Sequence, residues 1–372
     1  MSDFLKVLSL APALQKRWNH QERLKLQNAV RKILPTHRAG ACLRHRLSGS
    51  GVNVSITEQG HTRLGGLMVC DAHHICPVCH HKKMAGDKQT ISELVLKHYE
   101  DGGLLVDAVL TVPHGASESL EVVLERLENV WKALRSKPIW KRLSAELGVV
   151  GVIRRLEVTL GANGWHPHFH VSLMCDWGHA SELRGQTRHA VHVDAFAIVS
   201  SCWAAAGRKL GLPISMHAQS AVAIVAAVEA QQAIAYNLKN MGYGDKIDSL
   251  TPFDLLRIVC QAPAEAARVA ARRLFAEYAA AIHGKHVISL AGKARVKKEL
   301  DAKKELSKTT VLGRIAPAAW ADVLRFGLRE AVTRVRGFTA LFDVLQIVAK
   351  AAGHHELPHG WLHSTGAVVE DS

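Results

Sequence analysis

The stretch LEVTLGANGWHPHFHVSLM, residues 156 to 174, decides the fold. Two β-rich runs, VVGVIRRLEVTL and WHPHFHVSLM, flank GANG, which reads as the turn of a β-hairpin. Alternate residues of a strand share a face, so His166, His168 and His170 point one way and Phe169, Val171 and Leu173 the other. With Ala162 and Asn163 at the centre of the turn, Glu157 lies directly opposite His168; with Asn163 and Gly164 there, it faces His170. Either register keeps Glu157 on the histidine face, where directly opposed Cβ atoms lie about 4.5 to 5.5 Å apart. Two imidazoles and a carboxylate can then converge on one ion. Mixed nitrogen and oxygen donors with open positions suit Mg²⁺ or Mn²⁺ assisting phosphate chemistry, with Zn²⁺ as an alternative.

Around the hairpin the pattern is regular. LLVDAVLTV (104 to 112) reads as a buried strand, and Ser117 can cap a helix that places Leu120, Val123, Leu124, Leu127, Val130, Trp131 and Leu134 at helical spacing. After the hairpin come a helix around Ala195 to Gly207, a short run at Pro213 to Gln219 and an Ala-rich helix from about Val222 to Lys239. The order strand, helix, hairpin, helix, strand, helix implies an α+β fold, a central antiparallel β-sheet with flanking helices on one face. Thr251-Pro252 opens a further helix, and everything beyond it reads as helical, including the charged stretch KARVKKELDAKKELSK.

The segments are therefore a basic helical lead-in (1–35), a small Cys/His zinc-binding module (36–95), the sheet core (100–248), a helical C-terminal region (250–352) and a loosely ordered tail (353–372). The chain of 372 residues carries a net charge of +14 and is 48% hydrophobic, which implies packed cores and a field that attracts polyanions, nucleic acid first. No segment reaches the 18 or so apolar residues of a membrane helix; the longest, from Ala221 to Val228, stops at Glu229. Asp3 and Lys6 spoil any signal peptide, so the expected location is cytoplasmic with no membrane partner.

Seven cysteines, an odd number, fit reduced thiols and metal ligation better than a disulfide framework. Cys70, Cys76 and Cys79 provide three thiolates close in sequence, the last two in the C-x2-C spacing of a zinc knuckle, and Cys42 in GACLRH is the natural fourth. His73, His74, His80 and His81 are rival ligands. A structural Zn²⁺ would fold a segment too poor in apolar residues to fold itself, and Lys82 and Lys83 beside it would present positive charge to DNA. Cys175, Cys202 and Cys260 read as core thiols.

LEVTLGANGWHPHFHVSLM resembles the second motif of HUH endonucleases, and in particular the rolling-circle replication initiator (Rep) proteins of bacterial plasmids. The resemblance implies that His168 and His170 bind the catalytic cation with Glu157 completing the site, and that His166 is a companion. DAVLTVPHG, at 107 to 115, looks like the upstream strand motif of that family, and AIAYNLKNMGYG supplies a helical tyrosine, Tyr236, followed three residues later by Lys239. The upstream Cys and the C-P-x-C-like run are also similar to the family's.

The implied activity is metal-dependent nicking and rejoining of single-stranded origin DNA. Tyr236 attacks the phosphodiester to leave a 5′-phosphotyrosyl link, Lys239 steers the phosphate, and a host helicase and polymerase follow. Gln232 stands where family members often carry a carboxylate or second tyrosine, and Tyr243 is a fallback nucleophile. The alternatives are an HUH-type single-strand transposase and a non-catalytic zinc-dependent DNA-binding protein.

Overall fold

The computed structural model describes residues 18–47, 49–176, 188–224, 226–237, 249–295 and 309–363, with isolated positions before residue 18. Its strands are β1 (Val52–Thr57), β2 (Thr62–Gly65), β3 (Leu104–Leu110), β4 (Val149–Gly161), β5 (Gly164–Cys175), β6 (Ser220–Ile224), β7 (Ile288–Gly292), β8 (Thr309–Ile315) and β9 (Leu362–His363). The helices are α1 (His20–Ile33), α2 (Pro77–Glu100), α3 (Leu120–Leu134), α4 (Lys137–Leu147), α5 (Arg188–Arg208), α6 (Ala227–Asn237), α7 (Pro252–Gln261), α8 (Glu265–Ala281), α9 (Pro317–Arg325), α10 (Arg329–Val332) and α11 (Phe338–Ala351). The chain forms two compact units, residues 1–29 with 73–297 and residues 30–72 with 298–372.

The first unit is built on a five-stranded antiparallel sheet in the order β6-β3-β5-β4-β7. Its spine is the β4–β5 hairpin. Gly161 pairs with Gly164 across a turn at Ala162 and Asn163, and Gly164 takes a left-handed φ of +81° that a side chain would strain. Of the two registers open to the sequence, this one sets Glu157 opposite His168.

β5 is central, so both of its faces are covered. On one, Phe169 is fully buried and meets Trp131 of α3 at 5.6 Å between ring centroids. α3 reaches it through Leu120, Val123, Leu124, Leu127, Val130 and Leu134, all buried as their spacing predicts; its N-cap is Ser119 rather than Ser117. On the other face Met174, Leu105, Ile153 and Ile224 pack with Ile91 and Val95 of α2 and with Ala230 and Ile234 of α6. Helices therefore flank both faces of the sheet rather than the one expected, because a central strand with apolar residues on both sides cannot leave either in water.

In the second unit the sheet runs β2-β1-β8-β9, also antiparallel. Val52, Val54 and Ile315 share a core with Trp320, Val323, Val332, Leu341, Leu345 and Val348 of its helices. Two expectations are corrected here. Residues 250 to 352 are not helical throughout, since β7 closes an edge of the first sheet and β8 lies inside the second. Nor is 353–363 loosely ordered, since Trp361 is 8% exposed in this core and β9 pairs with β8. The tail beyond 363 and most of the charged stretch at 293–308 lie outside the described residues.

The region after α5 also differs. The strand expected at Pro213 to Gln219 is β6 at Ser220–Ile224, and the helix begins at Ala227 instead of Val222. Alanine's helical propensity hides an edge strand whose real signature is alternation, with Ser220 and Val222 exposed and Ala221 and Ala223 buried. Thr251 caps α7 as expected, in a reciprocal box with Asp254.

Candidate metal centres and tyrosine helix

On the inward face of the hairpin Glu157, His168 and His170 converge, their ligand atoms within 4.8 Å of one another. Glu157 Oε2 lies 2.7 Å from His170 Nε2 and 3.5 Å from His168 Nε2. His168 is 9% exposed and His170 is 7% exposed, so the imidazoles are held in the fold and not on a wet strand face. His168 Nδ1 is 3.2 Å from the His166 carbonyl oxygen, a contact that orients the ring with Nε2 toward Glu157. Burial works against a charged carboxylate here. Hydrogen bonds from His168 and His170 and the charge of Arg155 outweigh it, holding Glu157 well below the usual carboxylate range. Burial also lowers His170 from its ordinary value, which favours the neutral ring a cation needs. A carboxylate oxygen and two imidazole nitrogens that converge in this way fit a divalent cation.

His166 takes no part in this group and turns to His114, its Nδ1 2.8 Å from His114 Nε2. His114 belongs to the VPHG run that ends the β3 motif, and its Nδ1 meets the Asn163 carbonyl in the hairpin turn at 3.2 Å. Glu118 fixes that loop. It accepts from the Gly115 amide at 2.7 Å and pairs with Arg126, which also donates to the Pro113 carbonyl. His114 and Arg155 are residues that sequence reasoning passed over. Arg155 had a signal, the same strand parity as Glu157, while the partnership of His114 with His166 depends on a fold-back of 52 residues that no local pattern shows.

Tyr236 stands near the end of α6, the helix that covers the histidine face of the sheet through Ala230 and Ile234. It is 53% exposed, and Gln232, one turn earlier, is exposed as well. Lys239 and Tyr243 lie outside the described residues.

The four thiols expected to share one ion form one buried group. Cys42, Cys70, Cys76 and Cys79 are all buried, with sulfurs within 4.8 Å of one another, and no disulfide joins any of the seven cysteines. Four sulfurs at that spacing fit a tetrahedral Zn²⁺. None of the rival histidines joins the group; burial lowers both His74 and His80 to about 3, and His80 Nδ1 is engaged by the His73 carbonyl at 2.9 Å. Cys76 and Cys79 flank the first turn of α2, which starts at Pro77, and Lys82 and Lys83 are exposed farther along it. Lys83 is paired with Asp87 one turn on. Cys175 and Cys202 are buried as expected; Cys260 is exposed, because α7 turns its last turn outward.

An α+β protein with a Glu-His-His cluster on its sheet and a separate four-cysteine group is the class these features define. Among known proteins, the chain is 29% identical over 156 residues to "Protein rep" of Streptomyces lividans, covering 34% of this chain and 33% of that one. It is 27% identical over 164 residues to a "Neomycin resistance protein" of Streptomyces cyanogenus, covering 37% of each. The chain thus spans about a third of the length of these curated relatives. No family model and no solved structure matches it. The likeness to a Rep protein agrees with the resemblance carried by the hairpin motif.

Proposed function

We propose that the protein is a plasmid rolling-circle replication initiator that nicks and rejoins single-stranded DNA. The observation that carries this reading is the convergence of Glu157, His168 and His170 on the sheet face that the Tyr236 helix covers. The similarity to a Rep protein and the net charge of +14 support it.

Glu157, His168 and His170 would hold a divalent cation, Mg²⁺ or Mn²⁺, which supplies Lewis-acid polarisation of the scissile phosphate. The hairpin fixes these three side chains through backbone register, so little reorganisation is needed when substrate arrives. The Tyr236 oxygen attacks phosphorus in line; the new O–P bond forms as the bond to the 3′ oxygen breaks, the phenolic proton passes to solvent, and the 3′ oxygen leaves as a hydroxyl. The resulting 5′-phosphotyrosyl ester conserves the energy needed to rejoin the strand. Lys239 steers the phosphate. The Cys42, Cys70, Cys76 and Cys79 group would hold a structural Zn²⁺, with Lys82 and Lys83 on the same helix available to DNA.

The protein acts in the cytoplasm, upstream of a host helicase and polymerase. No described helix is long and apolar enough to cross a membrane. Tyr236→Phe tests the proposal. Cleavage of single-stranded DNA in Mn²⁺ is lost while DNA affinity holds within about twofold, since one hydroxyl is removed from an exposed ring. Undiminished cleavage by this variant refutes the role given to Tyr236.

A further inference from the structure

On the face of the first sheet opposite the Glu157 group, α3 and the β4–β7 edge enclose a cavity of about 230 Å³. Its floor is two rungs of the β4–β7 ladder, Val152 paired with Ala291 and Arg154 paired with Ser289. Its wall is one stripe of α3, made of Glu128, Trp131 and the C-cap residue Arg135, whose spacing of three and then four places them on one helix face. The room comes from β7, which sets two small residues, Ser289 and Ala291, against this stripe. The volume is below the roughly 300 Å³ at which drug-sized ligands begin to fit, and it suits a single fused ring system.

The polar groups of the cavity are held in place. Arg154 is 8% exposed; it donates to Glu128 Oε2 at 3.1 Å and to Ser289 Oγ at 3.3 Å, and its guanidinium lies 4.3 Å from the centre of the Phe169 ring. Those two bonds leave further guanidinium donors, and Glu128 Oε1, without a partner among the described residues. Arg135 is exposed at the mouth, its guanidinium stacked 3.8 Å from the centre of the Trp140 ring and paired with no carboxylate among the described residues. Stacking leaves its in-plane donors open to an anion. Two arginines against one carboxylate give the cavity a net positive charge.

Arg154 and Glu128 thus present, in a row, a donor, the acceptor Oε2 and the acceptor Oε1. The Watson–Crick edge of guanine carries the complementary row: the O6 acceptor, the N1–H donor and the N2–H donor. Adenine, cytosine and thymine each match at most two of the three positions. We propose that this cavity binds a guanine nucleotide, with the base against Trp131, its Watson–Crick edge on Arg154 and Glu128, and its phosphate on Arg135. A base read by its pairing edge beside an aromatic wall is the usual way a protein holds an unstacked nucleotide. The guanine belongs either to a bound single strand or to a free nucleotide, since both offer the same base and phosphate. The inference does not depend on the cation site.

Isothermal titration calorimetry of the full chain with dGMP, dAMP, dCMP and dTMP tests it. dGMP binds about tenfold or more tighter than the other three, because each of those leaves a buried polar group unmatched. Arg135→Ala weakens dGMP by about tenfold and leaves deoxyguanosine unchanged, since only the phosphate loses a partner. Ala291→Leu, placed on an edge strand and filling the cavity, removes dGMP binding. The trinucleotide d(TpGpT) separates the two sources: binding at least as tight as that of dGMP assigns the cavity to a guanine within a strand, and exclusion of d(TpGpT) while dGMP binds assigns it to a free nucleotide. Binding of dGMP that is absent, or no tighter than that of the other three, overturns the proposal in the unaltered protein, and that arm needs no variant to fold. Unchanged dGMP affinity in a folded Ala291→Leu also overturns it.

Discussion

Glu157 is the residue on which the proposed chemistry turns, because one carboxylate oxygen lies within reach of two imidazoles, and the His166 carbonyl orients one of them, His168. Replacing His168 with Ala removes one nitrogen of the set, and the nicking rate in Mn²⁺ is expected to fall by about 100- to 1000-fold, the usual cost of losing one preorganised electrostatic contact to the transition state. Single-turnover cleavage assays measure this. Phe169, between the two histidines in sequence, has the opposite task. Its ring is fully buried beneath Trp131 and the Arg154 guanidinium, so Phe169→Ala lowers stability by about 3–5 kcal/mol, as read from denaturant unfolding. The split between these neighbours was legible in the sequence, because strand alternation alone sends His168 and His170 to one face and Phe169 to the other. What alternation could not supply was the choice between two turn registers, or the burial of Arg155, which depends on helices brought from distant parts of the chain.

Among the elements, the hairpin and the long amphipathic helices were readable because their signals are periodic. α3 buries the six aliphatic positions its spacing marks. The strands that escaped notice, β1, β2, β7, β8 and β9, span seven residues or fewer, and each gains its identity from a partner rather than from its own residues. β6 reads as part of a helix until it pairs with β3. The loop after β3 offers a prediction at this scale. Glu118, lowered to about 2 first by its hydrogen bond to Arg126 and then by the Gly115 amide, braces the loop that carries His114. Since its folded value lies below the ordinary 4.5, its contribution is present above about pH 4.5 and is lost as the pH falls toward 2. Glu118→Gln therefore speeds hydrogen exchange at the Gly115 amide near neutral pH. In the unaltered protein the same change appears only on acidification through that window. Equal exchange in the two proteins at neutral pH would show that the carboxylate does not hold the loop.

For the whole molecule the sequence conveyed charge, class and the two candidate metal groups, and it missed that 30–72 and 298–372 fold as one unit around a second sheet, because a pairing such as Ser55 with Val311 spans too much chain for any local pattern to show. The four-cysteine group leads to a stoichiometric expectation of one zinc per chain by elemental analysis. Cys76→Ser abolishes it, and chelation lowers the melting temperature markedly, since a structural zinc can supply on the order of 10 kcal/mol of apparent folding energy. The charge of +14 predicts that affinity for single-stranded DNA falls with log salt at a slope of about 0.7 per phosphate neutralised. A flat salt profile in a filter-binding titration would count against nucleic acid as the partner. The most direct test of the mechanism is to incubate the protein with single-stranded DNA and Mn²⁺, digest it, and locate any tyrosyl-nucleotide adduct by mass spectrometry. The adduct is expected on Tyr236 and on no other tyrosine; an adduct on Tyr243, or DNA cut without any adduct, would contradict the mechanism.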